Sequence, residues 1–207
     1  MEEEIKQIVK EEKKYYDFIS IAKRTSQDVY FIAQHDKNIA LALLLEKADE
    51  KQRIVICKSK KSADSLSSYL NEKGIKSLAI HGNHRTEKIE DAKLSFTLKA
   101  TNLLITTDMI LKTLDMKGIV EEMISYDLSV DPQDYFNRIR LVDEIGSSIA
   151  FVSSDDERNF ENLEFTMRCE MIEKEIEGFT PSPAPRVEKK RKKPRHNKKK
   201  VKKIEED

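Results

Sequence analysis

Three polar stretches each follow a short apolar run, and each carries side chains that suit phosphate oxygens. After Cys57 come Lys58, Ser59, Lys60 and Lys61. After Ile80 come His81, Gly82, Asn83, His84 and Arg85. After Ile105 come Thr106, Thr107 and Asp108. Lysines bring charge, and hydroxyls and the free main-chain N–H groups of a helix start donate hydrogen bonds to an anion. Such contacts hold a sugar–phosphate backbone without reading its bases. Singly, each stretch has a plainer reading. The lysines could be a solvated turn, His81 a capping histidine, the threonines strand formers and Asp108 an N-cap. Their order makes Lys58, Ser59, Lys60, His81, Gly82, Thr106 and Thr107 candidate nucleic-acid ligands.

A second cationic feature lies at the C-terminal end. Residues 186–207 hold 12 of the 38 Lys/Arg and 4 of the 38 Asp/Glu, so the body keeps 26 basic and 34 acidic residues. A zero formal charge thus hides a body near −8 and a tail near +8. The run RVEKKRKKPRHNKKKVKK, 186–203, has no apolar periodicity and is expected to be disordered. Lys190, Arg191, Lys192, Lys193 and Arg195 are candidate contacts to RNA or DNA through counterion release. Without aromatics the tail cannot stack on bases, so little sequence preference is expected. A solubility tail, or one drawn to an acidic protein or membrane, is the alternative; no amphipathic apolar face adjoins it for a membrane.

Other chemistry is thinly supplied. Cys57 and Cys169 are isolated, with no CxxC and no Cys/His cluster in sequence. No disulfide framework, metal site or catalytic residue is expected from them. The acidic start MEEEIKQIVKEEKK lacks an apolar core, and no apolar run approaches membrane-spanning length. A reducing, cytoplasmic setting without membrane association is the expectation.

The elements that must position these stretches alternate. Strands are expected over 29–34, 53–57, 75–80, 102–106, 121–127 and 147–153. Helices are expected over 36–47 with Asp36 as N-cap, 62–74 stopped by Gly74, 86–98, 109–114, 131–142 with Pro132 in its first turn, and 154–176. RIVIC is apolar throughout, as a strand buried on both faces is. Alternation of this kind predicts an α/β domain with a parallel sheet and helices on both faces. Ligands of such sheets bind at the carboxyl ends of the strands, where the three polar stretches fall. Residues 1–27 read as a helical lead-in, 28–179 as the domain and 180–207 as the tail.

The blocks VICKSKKSADSLSSYL, LAIHGNHRTEKIEDAKLSF, NLLITTDMILKTLD, MISYDLSVDPQDYFNRI and GSSIAFVSSDDERNFENLE follow one another at fixed spacing. Together they resemble the second RecA-like domain of DEAD-box RNA helicases, from about Val29 to Phe179. YYDFISIAKRTSQDVYFIA is similar to the family's interdomain linker, and IEKEIEGFTP to the exit from the domain. The resemblance implies a RecA-like fold and RNA binding at the strand ends. It also implies that Asp115 faces a nucleotide ribose and that Arg138 is a residual nucleotide contact.

The resemblance breaks off at the ATP-facing positions. The sequence has no GxxxxGK[ST] and no DEAD motif, so ATP and magnesium are expected only if a separate first domain supplies them. Where the family has HRIGRTGR, Asn137 replaces its His, Arg138 retains its first Arg, and Leu141 and Glu144 stand at its two later arginines. Arg140 lies one residue before the first finger position. Because one residue turns a helix by about 100°, it is not expected to substitute. The expected function is RNA binding without autonomous ATPase activity. The alternatives are half of a split ATP-dependent helicase, or a protein-interaction module. Expected partners are RNA, a separate helicase N-terminal domain, or a ribosomal or RNA-processing protein.

Overall fold

The computed structural model describes residues 17–47, 49–143 and 146–183. In chain order the elements are α1 (Phe18–Arg24), β1 (Ser26–Phe31), α2 (Lys37–Glu46), β2 (Arg53–Ile56), α3 (Lys60–Glu72), β3 (Leu78–Ala79) and α4 (Thr86–Thr97). They continue as β4 (Leu103–Thr106), α5 (Asp108–Leu111), β5 (Glu122–Ser125), α6 (Pro132–Ile139), β6 (Ser147–Val152), α7 (Glu157–Met167) and β7 (Ile172–Glu173). Every strand pairing is parallel, in the order β3-β4-β2-β5-β6-β1-β7. The expected parallel α/β architecture is present.

Side-chain alternation along the strands builds the two faces. Ile54 and Ile56 of β2 point into one core with Leu104 and Met123, under α4 and α5. Val55 and Cys57 point into the other, with Ile105 and Ile124, under α2 and α3. A third cluster packs α1, α6 and α7 over β1 and β6 through Ile21, Tyr135, Ile139 and Leu163. Burial on both faces is why these strands are apolar without a break. Gly74 ends the α3 region at φ +83, where glycine carries no Cβ penalty.

Three expectations need correction. The last helix, expected to run to 176, stops at Met167. Arg168 adopts a left-handed φ of 49°, and the main chain then adds β7 beside β1. Lys174 secures it, its N–H donating to Val29 O at 2.9 Å and its Nζ pairing with Asp28 at 2.7 Å. The strand expected over 75–80 is only two residues long. Asp36 holds the N-cap position of α2 as expected but makes no side-chain cap bond there; its carboxylate accepts from the N–H and Oγ–H of Ser182. Among the described residues, no helix is long and apolar enough to cross a membrane.

Candidate nucleic-acid interface

Strands β3, β4 and β2 are neighbours, so the loops that leave them meet at one end of the sheet. Two main-chain bonds set the exits level: Cys57 N–H donates to Thr106 O, and Ile80 N–H to Ile105 O, each at 2.9 Å. Ser59 is the N-cap of α3, its Oγ accepting from Ser62 N–H at 3.0 Å. Lys58 N–H donates to the buried Asp127 carboxylate at 2.9 Å, which ties this loop to the end of β5. Lys60 Nζ reaches across to Asn83 Oδ1 at 2.6 Å and joins it to the loop after β3.

These exits open into a groove of about 480 Å³ lined by Lys58, Ser59, Lys60, Lys61, Thr107, Asp108 and Met109. Four of the candidates read from sequence therefore share one surface. The groove is cationic on the α3 side, and the α5 N-cap Thr107 faces it. Thr107 Oγ1 is buried and has no hydrogen-bond partner among the described residues, and the same is true of Thr106 Oγ1 behind it. A buried hydroxyl without a partner is uncommon and marks a place where an acceptor or water is wanted. Gly82 lies against Lys60 and Met109, but a Cβ there would make only ordinary contact.

His81 takes a different role from the lysines. It is 4% exposed, and its Nε2 lies 2.9 Å from both carboxylate oxygens of Asp64 on α3. Its ring stacks on His84 with centroids 3.9 Å apart. His84 Nε2 in turn sits 3.0 Å from Lys88 Nζ. Burial, with His81 and Lys88 alongside, holds the His84 imidazole below its ordinary pKa. Asp64, His81 and His84 come together from one helix and one loop, a grouping that sequence spacing does not reveal.

The two residues implied to face a nucleotide are not brought together. Arg138, 1% exposed, donates from Nε and Nη2 to the two oxygens of Asp108 at 2.8 and 2.7 Å, and from Nη1 to Asp127 O at 2.8 Å. All three donor groups of its guanidinium face protein acceptors. Asp115 instead lines a second cavity of about 400 Å³ with Lys112, Lys117, Asn137, Arg140 and Leu141. Lys112 is already paired with Asp134 at 2.7 Å, which raises its pKa. Arg140, the C-cap of α6, keeps helical backbone angles and lines this cavity. Glu144 and the tail candidates Lys190, Arg191, Lys192, Lys193 and Arg195 lie outside the described residues. Cys57 is buried, and burial pushes its thiol well above the ordinary range, which removes it as a nucleophile.

Comparison with known proteins places this geometry. A family model described as the helicase conserved C-terminal domain matches residues 36–140. The DEAD-box ATP-dependent RNA helicase RhpA of Helicobacter pylori is 31% identical over 114 residues, covering 55% of this chain and 23% of that protein. The chain thus spans well under half the length of that relative. A DEAD box protein from the hyperthermophile Methanococcus jannaschii superposes with a TM-score of 0.68 at 25% identity, over 75% of this chain and 43% of that one. The E. coli DEAD-box protein SrmB, solved bound to regulator of ribonuclease activity A, shares the fold with a TM-score of 0.70 at 20% identity, over 78% of this chain and 96% of that one.

Proposed function

Since the chain belongs to the helicase conserved C-terminal domain family, in its DEAD-box form, we propose that it binds RNA through the groove at the ends of β2 and β4 and cannot hydrolyse ATP alone. The observation that carries this reading is the single surface formed by Lys58, Ser59, Lys60 and Thr107. Two cations and an N-capped helix start are the donors that a phosphodiester needs. Nothing on this surface reads a base edge, so binding is sequence-independent and salt-sensitive. The basic run from Lys190 to Arg195 adds a second, non-specific hold on the same strand.

Loss of hydrolysis rests on three features of the chain. It has no phosphate-binding loop sequence, its Arg138 is spent on Asp108, and Leu141 stands where a finger would project into the Asp115 cavity. An arginine finger is worth several powers of ten in rate because it neutralises charge on the transferring phosphoryl group, and leucine cannot. The test is anisotropy with labelled single-stranded RNA at low salt, beside phosphate release from ATP. RNA binding without phosphate release supports the reading; no RNA binding at low salt ends it.

One observation favours a second reading, in which the chain works with a separate P-loop domain. Asp115, Asn137 and Arg140 line one cavity, so a cation and a carboxylate still face a common space. Titrating a helicase first domain into the chain, with RNA and ATP present, separates the readings: restored phosphate release supports the second. A cytoplasmic setting and a ribosomal or RNA-processing protein as further partner fit either version.

A further inference from the structure

We propose that Asp64, His81 and His84 form a binding site for a divalent transition metal, Zn2+ first among them, at the loop that leaves β3. One ligand atom from each residue lies within 4.8 Å of the others. Two imidazoles and one carboxylate are the donor set of borderline metals such as Zn2+. Mg2+ and Ca2+ prefer all-oxygen sites and do not suit it.

One helix and one loop hold the ligands. Asp64 stands in the second turn of α3, His81 directly follows Ile80 after β3, and His84 lies two residues before α4. A main-chain bond from His84 N–H to His81 O at 2.9 Å closes the intervening turn. Both Nδ1 atoms face main-chain N–H groups at 3.4 Å: His81 N–H points to His84 Nδ1, and Asn83 N–H to His81 Nδ1. Both Nε2 atoms therefore point away from the turn, one toward Asp64 and the other toward Lys88.

The Lys88 ammonium, 3.0 Å from His84 Nε2, competes with a metal ion for this place, and it belongs to an exposed side chain that can swing aside. The Asp64 carboxylate, 55% exposed, supplies the compensating charge and a path from solvent. On binding, each ring ligates through one nitrogen as a neutral imidazole with its proton on the other nitrogen, the three ligand atoms already lying within 4.8 Å of one another. Lys88 leaves as an ammonium ion, and water fills the remaining position, as at three-ligand zinc sites. The Lys60–Asn83 bond links this loop to the groove, but the metal site does not depend on what the groove binds.

The experiment is calorimetric titration of the chelator-treated full-length chain with ZnCl2 at pH 7.5, with MgCl2 as control. Zn2+ is expected to bind the wild type, and Mg2+ is not. H84A should weaken the tightest Zn2+ site by about tenfold or more, at least the loss that removing a metal-supporting residue causes. Unchanged circular dichroism will show that H84A still folds. K88M keeps all three ligands and should bind Zn2+ several-fold more tightly. Equal affinity in wild type and folded H84A would overturn the proposal. If H84A does not fold, equal or weaker binding by K88M would do the same.

Discussion

Arg138 on α6 grips Asp108 at the start of α5 with two hydrogen bonds, 2.8 and 2.7 Å long, across 30 residues of sequence. Its third bond, to Asp127 O, brings in the end of β5, whose Asp127 carboxylate accepts from Lys58 N–H. One buried guanidinium thus braces both walls behind the groove. Breaking a buried ion pair from one side strands the other charge, so Arg138→Ala is expected to cost about 3 kcal/mol. Arg138→Lys should recover little, because an ammonium cannot make the fork. Urea unfolding of the three proteins checks this; equal midpoints would contradict it.

Gly146 precedes β6, where a Cβ would run into the carbonyl oxygen of Glu121. That oxygen accepts from Ser147 N–H, so it cannot move without loosening β5 from β6. Gly146→Ala should therefore destabilise the fold by roughly 3 kcal/mol, the upper part of the usual overpacking range. Gly118→Ala is the contrast: a Cβ there meets nothing, and only the φ of +81 resists it. Thermal melts of the pair should show the larger loss for Gly146→Ala.

Asp36 carries a pH dependence. Hydrogen bonds from Ser182, the side-chain one first, outweigh burial and hold its carboxyl below the ordinary 3.8. A folded-state pKa below the unfolded one gives stability that is complete above the unfolded pKa and vanishes as pH falls through the folded value. The gap in melting temperature between wild type and Ser182→Ala should thus be largest near neutrality and close below pH 3.8. A gap that widened in acid would show that the sign is wrong.

Phosphate release from ATP should be absent from the purified chain with or without RNA, and Leu141→Arg alone should not create it. That substitution places a cation in the cavity beside Asp115, but no phosphate loop accompanies it. A coupled-enzyme assay decides the matter, and turnover by either protein would contradict this account.

What the sequence makes legible depends on how local each interaction is. The apolar run at Ile54–Cys57 declares a strand buried on both faces, and Pro132 declares a helix start, because each effect acts within a few residues. The strand β7 is not legible. Ile172–Glu173 sits in a charged stretch with helical spacing, and the stop is made by Arg168 taking a left-handed φ with no glycine or proline to signal it. The site divides in the same way. Lys58, Ser59, Lys60 and Thr107 are found by their position after strands, since a parallel sheet brings such positions together. The partners of Arg138 and His81 are tertiary: Asp108 is 30 residues away and Asp64 is 17. No pattern in the chain announces either pairing.

The most direct test of the central claim is the salt dependence of RNA binding by the full-length wild type and by Lys58→Ala/Lys60→Ala. Each phosphate contact to a single strand contributes about −0.7 to the slope of log K against log salt. The account predicts binding to labelled single-stranded RNA at low salt, and a double variant that binds more weakly with a slope shallower by about 1.4. A double variant with the affinity and slope of wild type would show that the groove holds no RNA.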